Sequence, residues 1–150
     1  MKLKIPPLLV LLIFIGAMYV LDRFLPVGDF DFFGSTILIY GLLGLSGVIG
    51  AVALWHFFRA RTTIDPRTPS KASELVTNGL YAYTRNPMYL SFLLILLAWG
   101  LWLGNAFNTL LAAGFVGYMN RFQILPEEEA LSRLFGKEYQ RYCIAVRRWF

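Results

Sequence analysis

The chain is poor in the residues that hold metals and disulfides and in those that cover soluble surfaces. Its 150 residues include a single cysteine, Cys143, which excludes an intramolecular disulfide and a cysteine-only metal site. They include a single histidine, His56, which excludes histidine-rich zinc or iron clusters. Charged residues make up 15%, against about 25% in ordinary soluble domains. No Gly-rich strand–turn–helix fingerprint is present, so a soluble dinucleotide-type cofactor domain is not expected. What is abundant is apolar: 57% of residues are hydrophobic and 17% aromatic. A soluble domain of this size has no interior able to hide so much apolar side chain. The expected solvent is therefore a lipid bilayer, and the length suits one domain over residues 1–150.

Four apolar runs are expected to form membrane spans at about residues 5–21, 32–58, 88–103 and 106–122, giving an all-α integral membrane protein. Asp22-Arg23 and Pro26 are expected to end the first. No small-x-small cleavage signal follows that run, so it is expected to stay as a membrane helix. Gly104-Asn105 signals a turn, which makes the last two runs a tight hairpin. A polar loop at residues 59–86 and a cap at 126–150 complete the chain. Arg59, Arg61, Arg67, Lys71 and Arg85 fall in the loop, and six basic residues from Arg121 to Arg148 follow the last run. Lys2 and Lys4 precede the first, leaving Arg23 alone on the other side. This sorting predicts a multi-pass protein of the inner or plasma membrane with both termini cytoplasmic. The net charge of +5 then reflects orientation and contact with anionic lipid, and nucleic acid is not an expected partner.

Gly41, Gly44, Gly47 and Gly50 lie three residues apart in the second run. The pattern predicts close helix packing, with Gly114 and Gly117 of the fourth run as the facing patch, or packing between copies in a homo-oligomer. After Pro126, apolar residues recur at helical spacing among lysines and arginines. They predict an amphipathic cap that Gly136 divides into two helices. Glu127, Glu128 and Glu129 would complement the positive end of its first helix. His56 and Cys143 are expected to be structural.

The chemistry concentrates on "YTRNPMYL". Asn86 suits a helix N-cap and Pro87 the first helical position. Such an end aims free N–H groups at an anion. Arg85 adds charge there, and Tyr81, Tyr83 and Tyr89 add aromatic faces that can meet a cation.

Leu75-Val76, Gly79-Leu80-Tyr81, Arg85-Asn86-Pro87-Met88-Tyr89, and Glu127-Glu128 with Leu131, Phe135, Gly136 and Tyr139 together resemble the isoprenylcysteine carboxyl methyltransferase family. That family has relatives among the phospholipid methyltransferases. The match covers about residues 72–142. The resemblance implies S-adenosylmethionine as methyl donor, S-adenosylhomocysteine as product and a lipophilic small-molecule or lipidated acceptor. It places Leu75, Val76, Tyr81, Asn86, Pro87, Met88, Tyr89, Glu127 and Glu128 around the cofactor. It places Glu127 at the reaction, with Arg121 a second catalytic candidate, and Arg121 and Gln123 toward the acceptor. Two positions depart from the family pattern. Asn86 stands where histidine is usual and cannot act as an acid or base near neutral pH. Gln123 stands where prenylcysteine enzymes have an arginine that holds the substrate carboxylate. A phospholipid amine is therefore the alternative acceptor. A nicotinamide-dependent membrane reductase and a non-catalytic membrane subunit are the remaining readings.

Overall fold

The computed structural model of the chain describes residues 5–25, 28, 30–59 and 75–150. The loop arginines and lysine at 61, 67 and 71, and Lys2 and Lys4, lie outside them. Among the described residues every regular element is helical. The helices are α1 (Pro7–Phe24), α2 (Ser35–Arg59), α3 (Pro87–Leu103), α4 (Asn108–Met119), α5 (Leu125–Phe135) and α6 (Lys137–Ala145).

Helix boundaries follow local chemistry. Pro7 opens α1, where its missing N–H goes unnoticed, and the Pro6 carbonyl accepts from Leu9 at 2.9 Å and Val10 at 3.1 Å. The helix runs past Asp22 and Arg23, three residues beyond the expected end at 21, because neither side chain breaks a helix and Arg23 suits its last turn. The hairpin between α3 and α4 forms as expected. Gly104 takes the left-handed conformation (φ 71°) and its N–H caps the Gly100 and Leu101 carbonyls. Asn105 is buried and pins the turn: its Oδ1 accepts from Phe107 N–H at 3.0 Å and its Nδ2 donates to the Leu25 carbonyl at 2.9 Å.

The fourth run, expected to end at about residue 122, is not separated from the cap. It passes through a single π-helical stretch, Asn120–Ile124, directly into α5, with the Leu125 N–H reaching the Asn120 carbonyl five residues back. Pro126 supplies a reason. It has no N–H to offer the carbonyl four residues earlier, and its ring needs room that a widened turn provides. The start of α5 is thus no free helix end, and Glu127, Glu128 and Glu129 do not meet exposed N–H groups there. Gly136 (φ 52°) does separate α5 from α6, as the sequence predicts.

The core runs along α1, α3 and α4. Met18, Leu96, Phe115, Met119 and Ile124 are essentially sealed from solvent, and Phe14 meets Phe115 edge-on at 5.5 Å. α2 packs on α3 through a buried bond from Ser46 Oγ to the Ser91 carbonyl, 2.9 Å. A Cβ at Gly50 would touch Ser91 Oγ at 3.4 Å, whereas one at Gly41, Gly44 or Gly47 would meet nothing. The glycines are not one stripe. Three residues turn a helix by about 300°, so each step drifts about 60° and Gly50 ends opposite Gly41. Nor do Gly114 and Gly117 face them: Gly114 lies against Phe14 of α1, and Gly117 is open.

Two helices, Pro7–Phe24 and Ser35–His56, are long and apolar enough to cross a membrane. Only 17% and 22% of their most apolar windows are buried, so they are not core helices of a soluble domain. Phe24, Phe33, Ile37, Tyr40, Trp55 and Trp102 are exposed on the same body. A surface this apolar belongs in lipid, and the chain is a membrane protein.

Candidate functional site

The site forms where α3 begins, and it is assembled from four separate stretches of chain. The first is the 3-10 turn Gly79–Ala82, fixed by Tyr81 N–H to the Asn78 carbonyl (3.1 Å) and Tyr83 N–H to Leu80 (3.0 Å). It buries the Tyr81 ring edge-on to His56, 6.3 Å between ring centres. Leu75 and Val76 lead into this turn, half-buried. The second is the segment from Thr84 into α3. Asn86 does take the N-cap position, but its side chain makes no capping bond. Its Nδ2 instead donates to the Arg148 carbonyl at 3.0 Å. Pro87 and Tyr89 are buried, and Met88 packs on the core.

The third stretch is α5, which carries the two carboxylates. Tyr89 Oη donates to Glu127 Oε1. Glu128 receives two bonds from the Arg148 guanidinium, Nε to Oε1 at 2.8 Å and Nη2 to Oε2 at 2.7 Å. The Arg85 guanidinium stands 3.2 Å from Glu128 Oε1 on the other side. The fourth stretch is the C-terminal segment after α6. It runs alongside residues 84–86: Arg85 N–H donates to the Arg147 carbonyl at 2.9 Å, and Thr84 Oγ1 donates to the Arg148 carbonyl at 3.1 Å. Trp149 Nε1 anchors it to Asn120 Oδ1 at 3.0 Å. From α6, Tyr142 Oη donates to the Tyr81 carbonyl at 2.6 Å, and Cys143 Sγ accepts from Arg85 at 2.5 Å.

These contacts fix the electrostatics. Burial pushes the Glu127 carboxyl up to about 8; the bond from Tyr89 partly offsets this and the nearby Glu128 charge adds to it. At neutral pH Glu127 is mostly protonated. Burial raises the Tyr81, Tyr139 and Tyr142 hydroxyls too, so all three stay neutral. The bonds to Glu128 raise Arg148 further. Two guanidiniums share one ionised carboxylate, which leaves a positive surplus beside the start of α3. The Arg85 Nε is buried without a partner. Next to that surplus lie Tyr81, Tyr89 and Glu127. The arrangement can hold an anion at one end and, at the other, a cation among tyrosine faces beside Glu127, whose ionised form the cation would favour.

Of the residues singled out from sequence, Tyr81, Asn86, Pro87, Met88, Tyr89, Glu127 and Glu128 gather at this end of the bundle. Arg121 and Gln123 sit on the π stretch and behave differently. Arg121 is exposed and makes no ion pair among the described residues. Gln123 is sealed, its Nε2 donating to the Ile5 carbonyl at 2.5 Å and its Oε1 left without a partner. Sequence reasoning missed the C-terminal segment. Arg147, Arg148 and Trp149 read as membrane-surface cap residues, and their pairing with residues 84–86 has no local signal. The one available hint was a pair of arginines closing a chain whose Glu127-Glu128 lacked partners.

The family model described as phospholipid methyltransferase matches residues 34–138. A Haemophilus influenzae protein described as uncharacterized is 56% identical over 62 residues, 41% of this chain and 98% of that protein. Schizosaccharomyces pombe protein-S-isoprenylcysteine O-methyltransferase is 38% identical over 102 residues, 68% of this chain but 43% of that enzyme. No solved structure matches.

Proposed function

The chain belongs to the phospholipid methyltransferase family, and we propose that it is an S-adenosylmethionine-dependent membrane methyltransferase acting on a lipophilic acceptor. The likeness to protein-S-isoprenylcysteine O-methyltransferase supports this reading. The observation that carries the reading is the meeting of Tyr89 with Glu127, beside Arg85, Glu128 and Arg148. The residues present fit the donor. Its amino-acid carboxylate suits the guanidinium surplus, where the buried Arg85 Nε has no partner. Its sulfonium suits Tyr81, Tyr89 and Glu127. When bound, S-adenosylmethionine supplies an electrophilic methyl group.

The chain's own residues do the rest. Arg85 and Arg148 hold and orient; Glu128 holds both of them. Tyr81 and Tyr89 exclude water from the reacting centre. In its ionised form Glu127 is the residue placed to take a proton from an acceptor that must lose one; that form grows as pH rises toward about 8 and is favoured by a sulfonium charge beside it. Four spans with both termini in the cytoplasm would put this end of the bundle where a soluble donor can reach it. α3 has 17 residues, about 25 Å at ~1.5 Å each, so it would cross with local thinning of the bilayer. The acceptor would then arrive from the lipid.

A phospholipid amine is the second acceptor. Gln123 is sealed and its amide nitrogen is committed to the Ile5 carbonyl, so it offers no positive charge to a carboxylate substrate, whereas an amine acceptor needs none. The purified protein in vesicles with labelled S-adenosylmethionine tests both. A base-labile methyl ester on a prenylcysteine supports the first acceptor and a base-stable labelled headgroup the second. A protein that neither binds the donor nor labels any lipid or prenylated thiol sinks the proposal.

A further inference from the structure

His56 lies in the last turns of α2, outside every motif that marks the site. Its Nδ1 is 2.8 Å from the Val52 carbonyl. A carbonyl only accepts, so Nδ1 carries the proton and the ring is held in one orientation. That orientation lays Nε2 and Cε1 directly against Gly79. A Cβ on Gly79 would overlap the imidazole, and Gly79 has φ +60° besides. The same ring meets Tyr81 edge-on. From the opposite side Tyr142 Oη holds the Tyr81 carbonyl at 2.6 Å. The turn that presents Tyr81 is thus gripped between α2 and α6.

We propose that His56 is a positioning residue: its ring fixes the Gly79–Ala82 turn and so sets Tyr81 against the methyl donor. This rests on the methyltransferase reading. His56 has a Tyr81 ring, not a reacting atom, as its neighbour, so its effect is on donor binding rather than on the acceptor.

The test uses the full-length protein in detergent, with S-adenosylhomocysteine as the calorimetric probe and the acceptor KM measured separately. His56→Ala is expected to weaken S-adenosylhomocysteine binding by about tenfold and to leave the acceptor KM within about twofold. His56→Phe, which keeps a ring against Gly79, recovers most of the binding. Gly79→Ala loses binding, and adding His56→Ala to it restores a part, because the clash is removed while the strain at φ +60° stays. Donor binding unchanged in His56→Ala overturns the role. So does a loss of donor binding matched by a proportionate rise in acceptor KM and a fall in melting temperature, which would make His56 merely structural. If His56→Ala does not fold, His56→Asn keeps an N–H for Val52 and removes the ring. Weakened binding then supports the role, and wild-type binding overturns it. A wild-type protein that binds no S-adenosylhomocysteine overturns the methyltransferase reading and this role together. Normal wild-type binding with unaffected variants overturns the role alone.

Discussion

Replacing Glu127 with glutamine should change how stability depends on pH, and the sign follows from burial. The folded carboxyl titrates at about 8 against an ordinary 4.5. Between those values the native chain keeps a proton that the unfolded chain has released. Stability therefore falls as pH rises through this window and levels off above about 8. The shift of 8 − 4.5, about 3.5 units, corresponds to at most about 5 kcal/mol at ~1.36 kcal/mol per unit. Glu127 is only half-buried by accessible surface, so water can relieve part of the penalty, and about 1–3 kcal/mol is expected. Glutamine does not titrate, and its carbonyl oxygen can still accept from Tyr89. Thermal unfolding of both proteins in detergent, from about pH 6 to 9, is the assay. The wild-type melting temperature should drop across the range while that of Glu127→Gln stays flatter, leaving the variant the more stable at the alkaline end. Parallel profiles would refute the reasoning, since they would mean that Glu127 ionises in the folded protein as readily as in the unfolded one.

The same group predicts ligand behaviour. S-adenosylmethionine should gain affinity relative to S-adenosylhomocysteine, which lacks the sulfonium charge, as pH rises through about 8, and Glu127→Gln should abolish that trend in calorimetry. Deleting residues 146–150 removes the bidentate partner of Glu128 and the carbonyl that Thr84 and Asn86 share. S-adenosylhomocysteine binding should fall by more than about tenfold, whereas Arg148→Ala alone should cost about 1 kcal/mol of stability because that side chain is part exposed. Gly50→Leu should push α2 off Ser91 and lower the melting temperature clearly. Gly44→Ala, in open space, should instead raise stability by up to about 1 kcal/mol through helix propensity.

The elements were legible from the sequence because their signals are local. Long apolar runs, prolines at helix starts, Gly104 at a left-handed turn and Gly136 between two cap helices each act within a few residues. Two local readings failed for identifiable reasons. The fourth span, expected at 106–122, and the cap, expected from 126, read as separate elements, yet intrahelical bonding continues between them through a π turn that accommodates Pro126. The four glycines of α2 looked like a single packing face because their spacing is regular, but a three-residue repeat winds around a helix.

The candidate site divides along the same line. Membrane class, the start of α3 at Asn86-Pro87 and the residues Tyr81, Asn86, Tyr89, Glu127 and Glu128 follow from composition, pattern and resemblance, all of which the chain carries in its order of letters. Their arrangement does not. That Glu127 faces Tyr89 while its neighbour Glu128 faces two arginines depends on the helical phase of α5, set by the π turn before it. That the Asn86 side chain bonds the Arg148 carbonyl instead of capping its own helix depends on a C-terminal segment 62 residues away. The elevated Glu127 pKa depends on burial, which is a property of packed surroundings and of no residue alone. Contacts between distant segments are decided by how the helices pack, so only the tertiary structure could say which charges pair, which are buried, and that His56 touches the turn that presents Tyr81.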